Sequence, residues 1–300
     1  MPEGDSVWRT ARRLDRGLAG GTVVRSDLRV PQHATADLRG RTVLGTDTYG
    51  KHLFTRFDGS GPAQALTLHT HLRMDGEWTV QRPGRRLPAR LAPDVRALLE
   101  TDSGRVGVAL RMPVVELMST RDEVRVTRVL GPDPLRADWD AGEAVRRLGA
   151  DPDRRLAAAL LDQRVLAGLG NLWVNELCFV RGHSPWARTG DVDLTGLVAT
   201  AARMLRQSVA VRGNGQVTTG DPRPGHEHWV YQRSGQPCRR CRTPVRYAAA
   251  VPGDARRRAT WWCPHCQPGP NPATNRDDAA GRRPRTRTQP SPISPGSRPE

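Results

Sequence analysis

Three hundred residues are enough to bury a sizeable core in two domains, and 47 basic against 31 acidic side chains leave a net charge of +16. That balance points to an anionic partner, nucleic acid first, and a mean hydropathy of −0.60 with no apolar run near the roughly 20 residues a bilayer requires excludes a membrane-spanning chain. MPEGDSVW has neither the basic start nor the apolar stretch of a signal peptide, so a cytoplasmic protein is expected, whose five cysteines do not pair as disulfides.

Residues 4–18 predict a helix, because Val7, Ala11, Leu14 and Leu18 fall on one face. The Met-Pro-Glu start ahead of it has two readings. Proline and acids are common in a first helical turn. Methionine is also normally removed before proline, which would leave Pro2 as a free secondary amine. An α-amine has a pKa of about 8 against about 10.4 for lysine, so far more of it is unprotonated at neutral pH. Such an amine condenses with an aldehyde carbon to give a cationic iminium, an electron sink, and Glu3 beside it can move protons.

After Gly20 and Gly21 come short alternating runs: TVVRSDLRV, RTVLGT, HLFTRF, ALTLHTHL, EWTV, RVGVALRM, VVELMS and VRVTRVL. Some eight strands with turn signals between them predict a sandwich or barrel. The segment DTYGKHLFTRF holds Lys51, the only lysine beside 46 arginines. Coding bias explains the arginines and would let one lysine survive anywhere. Gly50, however, marks a turn at the start of a strand, and lysine is a compact charge on a thin stem that enters a narrow space beside a phosphate.

GPDPL at 131–135 marks a boundary. Residues 136–215 then carry helical spacing in EAVRRLGA, RRLAAALLDQRVLAG, NLWVNELCFVRG and LTGLVATAARMLRQSVAVRG. Gly168 and Gly170 permit a tight turn, and Asn171 starts the next helix. This is either an ordinary helical corner capped by Asn171, or a set of free N–H groups that hold a phosphate. Cys178, in the apolar run ELCFV, is expected in the core.

Residues 231–267 form a small cysteine module. Cys238, Cys241, Cys263 and Cys266 are two C-x-x-C pairs with 21 residues between them, the spacing of four thiolates around one structural zinc. His265, inside the second knuckle, is expected to be exposed. The intervening sequence reads as two strands around a PGD turn, with Arg256 and Arg258 on one strand face. Eight arginines against the single acid Asp254 suit a phosphate backbone. From 268 to 300, eight prolines, six arginines and almost no apolar content predict a disordered basic tail.

Taken together and in this order, MPEGD, YGKHLF, LLDQRVLAGLGNLWVNE and RATWWCPHCQ resemble the Fpg/Nei family of DNA glycosylases and AP lyases. The resemblance implies an α+β fold: a two-layered β-sandwich (1–130), a helix-two-turn-helix domain (131–230), a zinc β-hairpin finger (231–267) and the tail (268–300). Damaged DNA, duplex and also single-stranded or bubble, would lie in the cleft between the halves of a monomer. Pro2 would be the nucleophile at the sugar C1′, and Glu3 the acid/base that opens the sugar ring. Lys51 would contact the phosphate beside the lesion within the catalytic site. Asn171 and Arg258 would grip phosphates from the helical turn and the finger.

One departure selects a branch. The 8-oxoguanine enzymes carry an Arg–Phe pair after a DPRRFG-like stretch, and the corresponding GRVGVALRMPVVELMST has none. The expectation is therefore the endonuclease VIII (Nei) branch, which acts on oxidised pyrimidines with β,δ-elimination. The alternatives are an Fpg-type oxidised-purine glycosylase and a zinc-finger DNA-binding protein without catalysis. HTHLRMDGEW lies where the family carries an intercalating residue, which brings forward Leu72, Arg73 and above all Met74, although a methionine between strands also packs in cores.

Overall fold

Apolar residues every third or fourth position make the first element, α1 (Gly4–Leu18), a helix with one buried face: Val7, Ala11, Leu14 and Leu18 are at most 1% exposed. The chain is seen in a computed structural model that describes residues 2–59, 64–85, 87–211 and 215–272. Strands β1 (Val23–Leu28), β2 (Val43–Tyr49), β3 (His52–Phe57), β4 (Leu66–His71), β5 (Glu77–Gln81), β6 (Val95–Thr101), β7 (Val106–Leu110) and β8 (Val114–Ser119) follow. They form two antiparallel sheets, ordered β1-β6-β7-β5 and β2-β3-β4-β8. Alternation turns Leu28, Trp78, Leu99 and Ala109 of the first sheet and Leu53, Phe57, Leu68 and Val115 of the second into one core, which α1 joins. The expected sandwich is present.

Two strand assignments change. VRVTRVL, expected as a strand, instead forms one short helix, α2 (Val124–Thr127). It lies past β8, the edge of its sheet, and Thr127 Oγ1 bonds back to the Glu123 carbonyl, so local bonds satisfy its backbone. VRALLET, built largely from helix formers, is β6, because Val95, Ala97, Leu99 and Thr101 alternate into the core between two partner strands.

The second half contains α3 (Ala141–Gly149), α4 (Leu156–Leu160), α5 (Asn171–Arg181) and α6 (Leu194–Ala210). RRLAAALLDQRVLAG is helical only through α4. Asp162 then accepts the Arg164 N–H at 3.0 Å, and that turn ends the helix. Leu156, Leu160, Trp173, Leu177, Leu197 and Leu205 make the core of this half. Cys178 is buried as expected, and burial pushes its thiol up to about 12.

In the cysteine module the paired strands are β9 (Arg246–Ala248) and β10 (Thr260–Trp262). Arg256 and Arg258 lie in the connection between them, so strand alternation does not place them on a common face; the strands are three residues long and stop short of both. The module is continuous with the helical half. Tyr231, Val251 and Trp262 enter the helical core, and Phe179 of α5 packs with Cys238 and Cys263. Of the expected tail, residues 273–300 lie outside the described residues. Among the described residues no helix is long and apolar enough to cross a membrane.

Candidate active site

Close backbone approaches bring the two halves together. The Gly4 N–H donates to the Gly168 carbonyl at 2.9 Å, and a Cβ on Gly4 would stand 2.9 Å from the Gly168 Cα. Gly50 turns the chain from β2 into β3 with φ +58°, and its N–H donates to Asp133 Oδ2 at 2.8 Å. Asp133 comes from GPDPL, so the segment that reads as a boundary is the joint between the halves. Its carboxyl is pushed up to about 6 by burial, against the N–H groups of Leu135 and Gly50.

This joint delivers Glu3, one residue after Pro2, to the N-terminus of α5. Glu3 is fully buried. Its Oε1 accepts the Leu172 N–H at 2.8 Å, and its Oε2 accepts the N–H groups of Gly170 at 2.9 Å and Trp173 at 3.3 Å. A carboxylate from α1 thus satisfies the free amides that open α5. The helix cap is Gly170, not Asn171. A Cβ on Gly170 would fall 2.4 Å from the Glu3 carboxyl carbon, so only glycine leaves room. Burial pushes the Glu3 carboxyl above its ordinary range; Lys51 and the helix amides oppose that rise.

Pro2 is half-buried beside Glu3. Lys51 is half-buried in the turn that precedes β3, as the sequence implies. Its ammonium is pushed down to about 8, first by burial and further by Arg258 and Arg256, while Glu3 pulls the other way. The structure therefore brings Glu3, Arg256 and Arg258, from two other segments, within electrostatic reach of Lys51.

Asn171 opens α5 but points at the finger. Its Nδ2 donates to the Ala259 carbonyl at 2.8 Å. One turn on, Asn175 Oδ1 accepts the Trp261 N–H at 2.7 Å, so two amides bolt α5 to the segment entering β10. Arg258 is held by Asp254, with Nη2 at 2.6 Å from Oδ1 and Nε at 3.0 Å from Oδ2. Met74 is 60% exposed at the turn from β4 to β5, whereas Leu72 is core and Arg73 takes a left-handed φ of +46°.

The four cysteine sulfurs all lie within 4.8 Å of one another, with Cys241 and Cys263 at 3.4 Å and Cys238 and Cys266 at 3.9 Å. Four thiolates at the corners of a tetrahedron, each about 2.3 Å from a central ion, stand about 3.8 Å apart. The Arg240 and Cys266 N–H groups point at the sulfurs of Cys238 and Cys263 at 3.4 Å, as suits thiolates. The donor set fits a closed tetrahedral metal site, and His265 is exposed outside it.

Three buried acids carry more than their sequence context suggests. Asp133 is one. Glu176 of α5 is another: it accepts the N–H groups of Trp229, Val230 and Tyr231 at 2.8 Å each. Asp5 is the third: it accepts from Trp173 Nε1 at 3.1 Å, Ser208 Oγ at 2.7 Å and Gln216 Nε2 at 2.8 Å. Trp173 and Ser208 also wall a cavity of about 710 Å³, together with Met204, Val217, Thr218 and Glu227. The available signal was an acid adjacent to the apolar stripe of α1, a position that requires buried partners.

Residues 1–109 match the formamidopyrimidine-DNA glycosylase N-terminal domain and residues 130–219 the formamidopyrimidine-DNA glycosylase H2TH domain. A probable endonuclease 8 2 of Streptomyces coelicolor is 47% identical over 274 residues, covering 91% of this chain and 96% of that protein. A DNA-(apurinic or apyrimidinic site) lyase, Nei2, of Mycolicibacterium smegmatis is 41% identical, covering 89% of this chain and 99% of its own length. In fold, the chain matches the Lactococcus lactis formamidopyrimidine-DNA glycosylase crystallised on DNA with an AP site, with a TM-score of 0.72 at 22% identity over 89% of this chain and 100% of that one. With two family domains covering both halves and relatives of this identity along most of its length, the chain belongs to the Fpg/Nei family, on its endonuclease 8 side.

Proposed function

We propose that this chain is a DNA glycosylase and AP lyase of base excision repair that removes oxidised pyrimidines. Glu3 carries the reading: a buried carboxylate, gripped by three backbone amides next to Pro2, in a cluster where Lys51, Arg256 and Arg258 concentrate positive charge. A damaged nucleotide leaves the stack and enters the cavity beside Trp173. Pro2, freed of the initiator methionine, attacks the sugar C1′. The bond from C1′ to the base breaks, and its electron pair departs with the base, which gains a proton. The amine gives up its proton, Glu3 protonates the ring oxygen, and the C1′–O4′ bond opens to leave the iminium on Pro2. Loss of a C2′ proton into that electron sink expels the 3′ phosphate, a second elimination expels the 5′ phosphate, and water releases Pro2.

Lys51, Asn171 and Arg258 contact phosphates on this reading, and Met74 enters the gap in the stack. A chain division at 1–130, 131–230, 231–267 and 268–300 accompanies it. The pyrimidine preference is supported by the joint between β7 and β8. Three residues, 111–113, make that connection, and Arg111 is tied to Asp94 at 2.7 Å, so no segment there reaches out to fill the space of a flipped purine. On matched duplexes, thymine glycol, dihydrouracil and hydroxylated cytosine are expected to be excised faster than 8-oxoguanine. A faster 8-oxoguanine rate in the same gel assay would move the enzyme to the oxidised-purine class.

The metal is proposed to be one structural zinc held by Cys238, Cys241, Cys263 and Cys266. Elemental analysis is expected to return one zinc per chain. Cys263→Ala is expected to lose it and to lower the melting temperature of the helical half together with DNA affinity, because Phe179 packs on that cysteine cluster. A zinc-free protein with native stability would refute this.

Lys51 supplies a pH test. Its charge is complete well below 8 and disappears as pH rises through about 8 in the free protein. A phosphate favours the charged form, so DNA affinity is expected to fall between about pH 7 and pH 9 as binding comes to require a proton. Lys51→Arg, which does not titrate there, is expected to flatten this dependence. Identical pH profiles for the two proteins would remove Lys51 from the contact set.

A further inference from the structure

Three histidines occupy neighbouring positions on the two central strands of the second sheet. His52 pairs in register with His71, Phe54 with His69, and His69 with Glu116 of β8. Their side chains form a chain across the sheet. Glu116 Oε2 lies 2.9 Å from His69 Nδ1, and His69 Nε2 lies 2.8 Å from His52 Nδ1. The His69 ring stacks on Phe54 at 5.2 Å, and the His52 and His71 rings meet at right angles with centroids 4.7 Å apart. At the end of the chain, His71 Nδ1 accepts the Arg73 N–H at 3.0 Å.

That last bond falls on the turn that carries Met74. The turn is closed below by the Gly76 N–H donating to the Leu72 carbonyl at 2.8 Å, with Leu72 in the core. A Cβ on Gly76 would stand 2.6 Å from the Leu72 oxygen, so the base of the turn has one shape. Its top is a left-handed Arg73, a conformation that costs a side-chain-bearing residue free energy unless something fixes it. Nothing else among the described residues accepts the Arg73 N–H.

We propose that His71 is a positioning residue for Met74: its bare Nδ1 accepts the Arg73 N–H and fixes the left-handed turn, and the Glu116–His69–His52 chain holds the His71 ring in place. The inference rests on the reading of Met74 as the residue that enters the DNA stack. An imidazolium could not do this, because both its nitrogens are donors. The groups around the ring keep it neutral: burial and then Arg73, Lys51, His69 and Arg256 push His71 down to about 4, and burial with His71, His69, Arg73 and Lys51 pushes His52 down to about 3. Glu116 is the one acid in this line of side chains, and its carboxylate faces His69 rather than His71.

The experiment uses the full chain and a duplex with a tetrahydrofuran abasic analogue beside 2-aminopurine, whose fluorescence rises when its stacking is disturbed. Met74→Ala reports the wedge. His71→Leu removes the acceptor, and His71→Asn restores one, because its Oδ1 stands close to where Nδ1 stood. Native protein and His71→Asn are expected to give the same fluorescence rise. His71→Leu should lose about fivefold of the ordered turn, the weight of one ordinary hydrogen bond, and approach Met74→Ala. Amide exchange at Arg73 should be slow in the native protein and His71→Asn and fast in His71→Leu. If His71→Leu keeps the native signal while Met74→Ala loses it, or if His71→Asn fails together with His71→Leu, the positioning role is wrong. If Met74→Ala itself is silent, the wedge reading fails; the exchange rates then decide the hydrogen bond separately, and fast exchange at Arg73 in the native protein overturns it.

Discussion

Protein that keeps one extra residue in front of Pro2 is expected to give no covalent adduct when abasic DNA is treated with borohydride, while still binding that DNA. The nucleophile on this mechanism is an amine with a reference pKa of about 8, and an amide in its place has no usable lone pair. The structure adds a second reason. Pro2 precedes a Glu3 whose carboxylate is locked to three amides of another helix, so the nitrogen has little freedom to move. Pro2→Gly retains an α-amine and should trap weakly, because a primary amine forms an imine that must be protonated before it becomes an equal electron sink. Equal trapping by blocked and native protein would show that another amine does the chemistry, and Lys51, already pushed down to about 8, would be the next to test.

Glu3→Gln is expected to lose base excision by about 10²–10⁴-fold while keeping much of its cleavage of a preformed abasic site, which already offers an aldehyde. Single-turnover assays on both substrates measure the split. The variant should also be less stable by about 1–3 kcal/mol. Glutamine must turn its NH₂ group toward at least one of the Gly170, Leu172 and Trp173 N–H groups, setting donor against donor. Excision within about tenfold of native would leave Glu3 as a cap for α5 rather than a proton donor. Equal loss on both substrates would point the same way, since misplacing Pro2 would harm excision and lyase steps together.

Where a property depends on residues close in sequence, the chain announces it. Helix α1 follows from the spacing of Val7, Ala11, Leu14 and Leu18, and the four-cysteine cluster from two C-x-x-C pairs, because a knuckle is a local structure. The alternating runs gave a sandwich of the right kind, yet exchanged VRVTRVL for VRALLET. Local pattern cannot tell whether a partner strand will be present: β6 has one on each side, whereas Val124 lies past the sheet edge. The finger strands ended earlier than alternation suggested for the same reason.

What the sequence by itself determined about this protein was which chemistry-bearing residues stand where: a proline beside an acid, one lysine at a turn, and four cysteines in two C-x-x-C pairs. Only the tertiary structure decided what each group faces. It gave the N-terminus of α5 to Glu3 instead of to Asn171, turned Asn171 toward Ala259, made Asp133 the joint under Gly50, and set three histidines in line behind the Met74 turn. Apart from the local bond between His71 and Arg73, each of these is a hydrogen bond between segments well separated along the chain. Such partners are chosen by burial, which leaves a polar group no water and so requires whichever donor or acceptor the fold brings within reach.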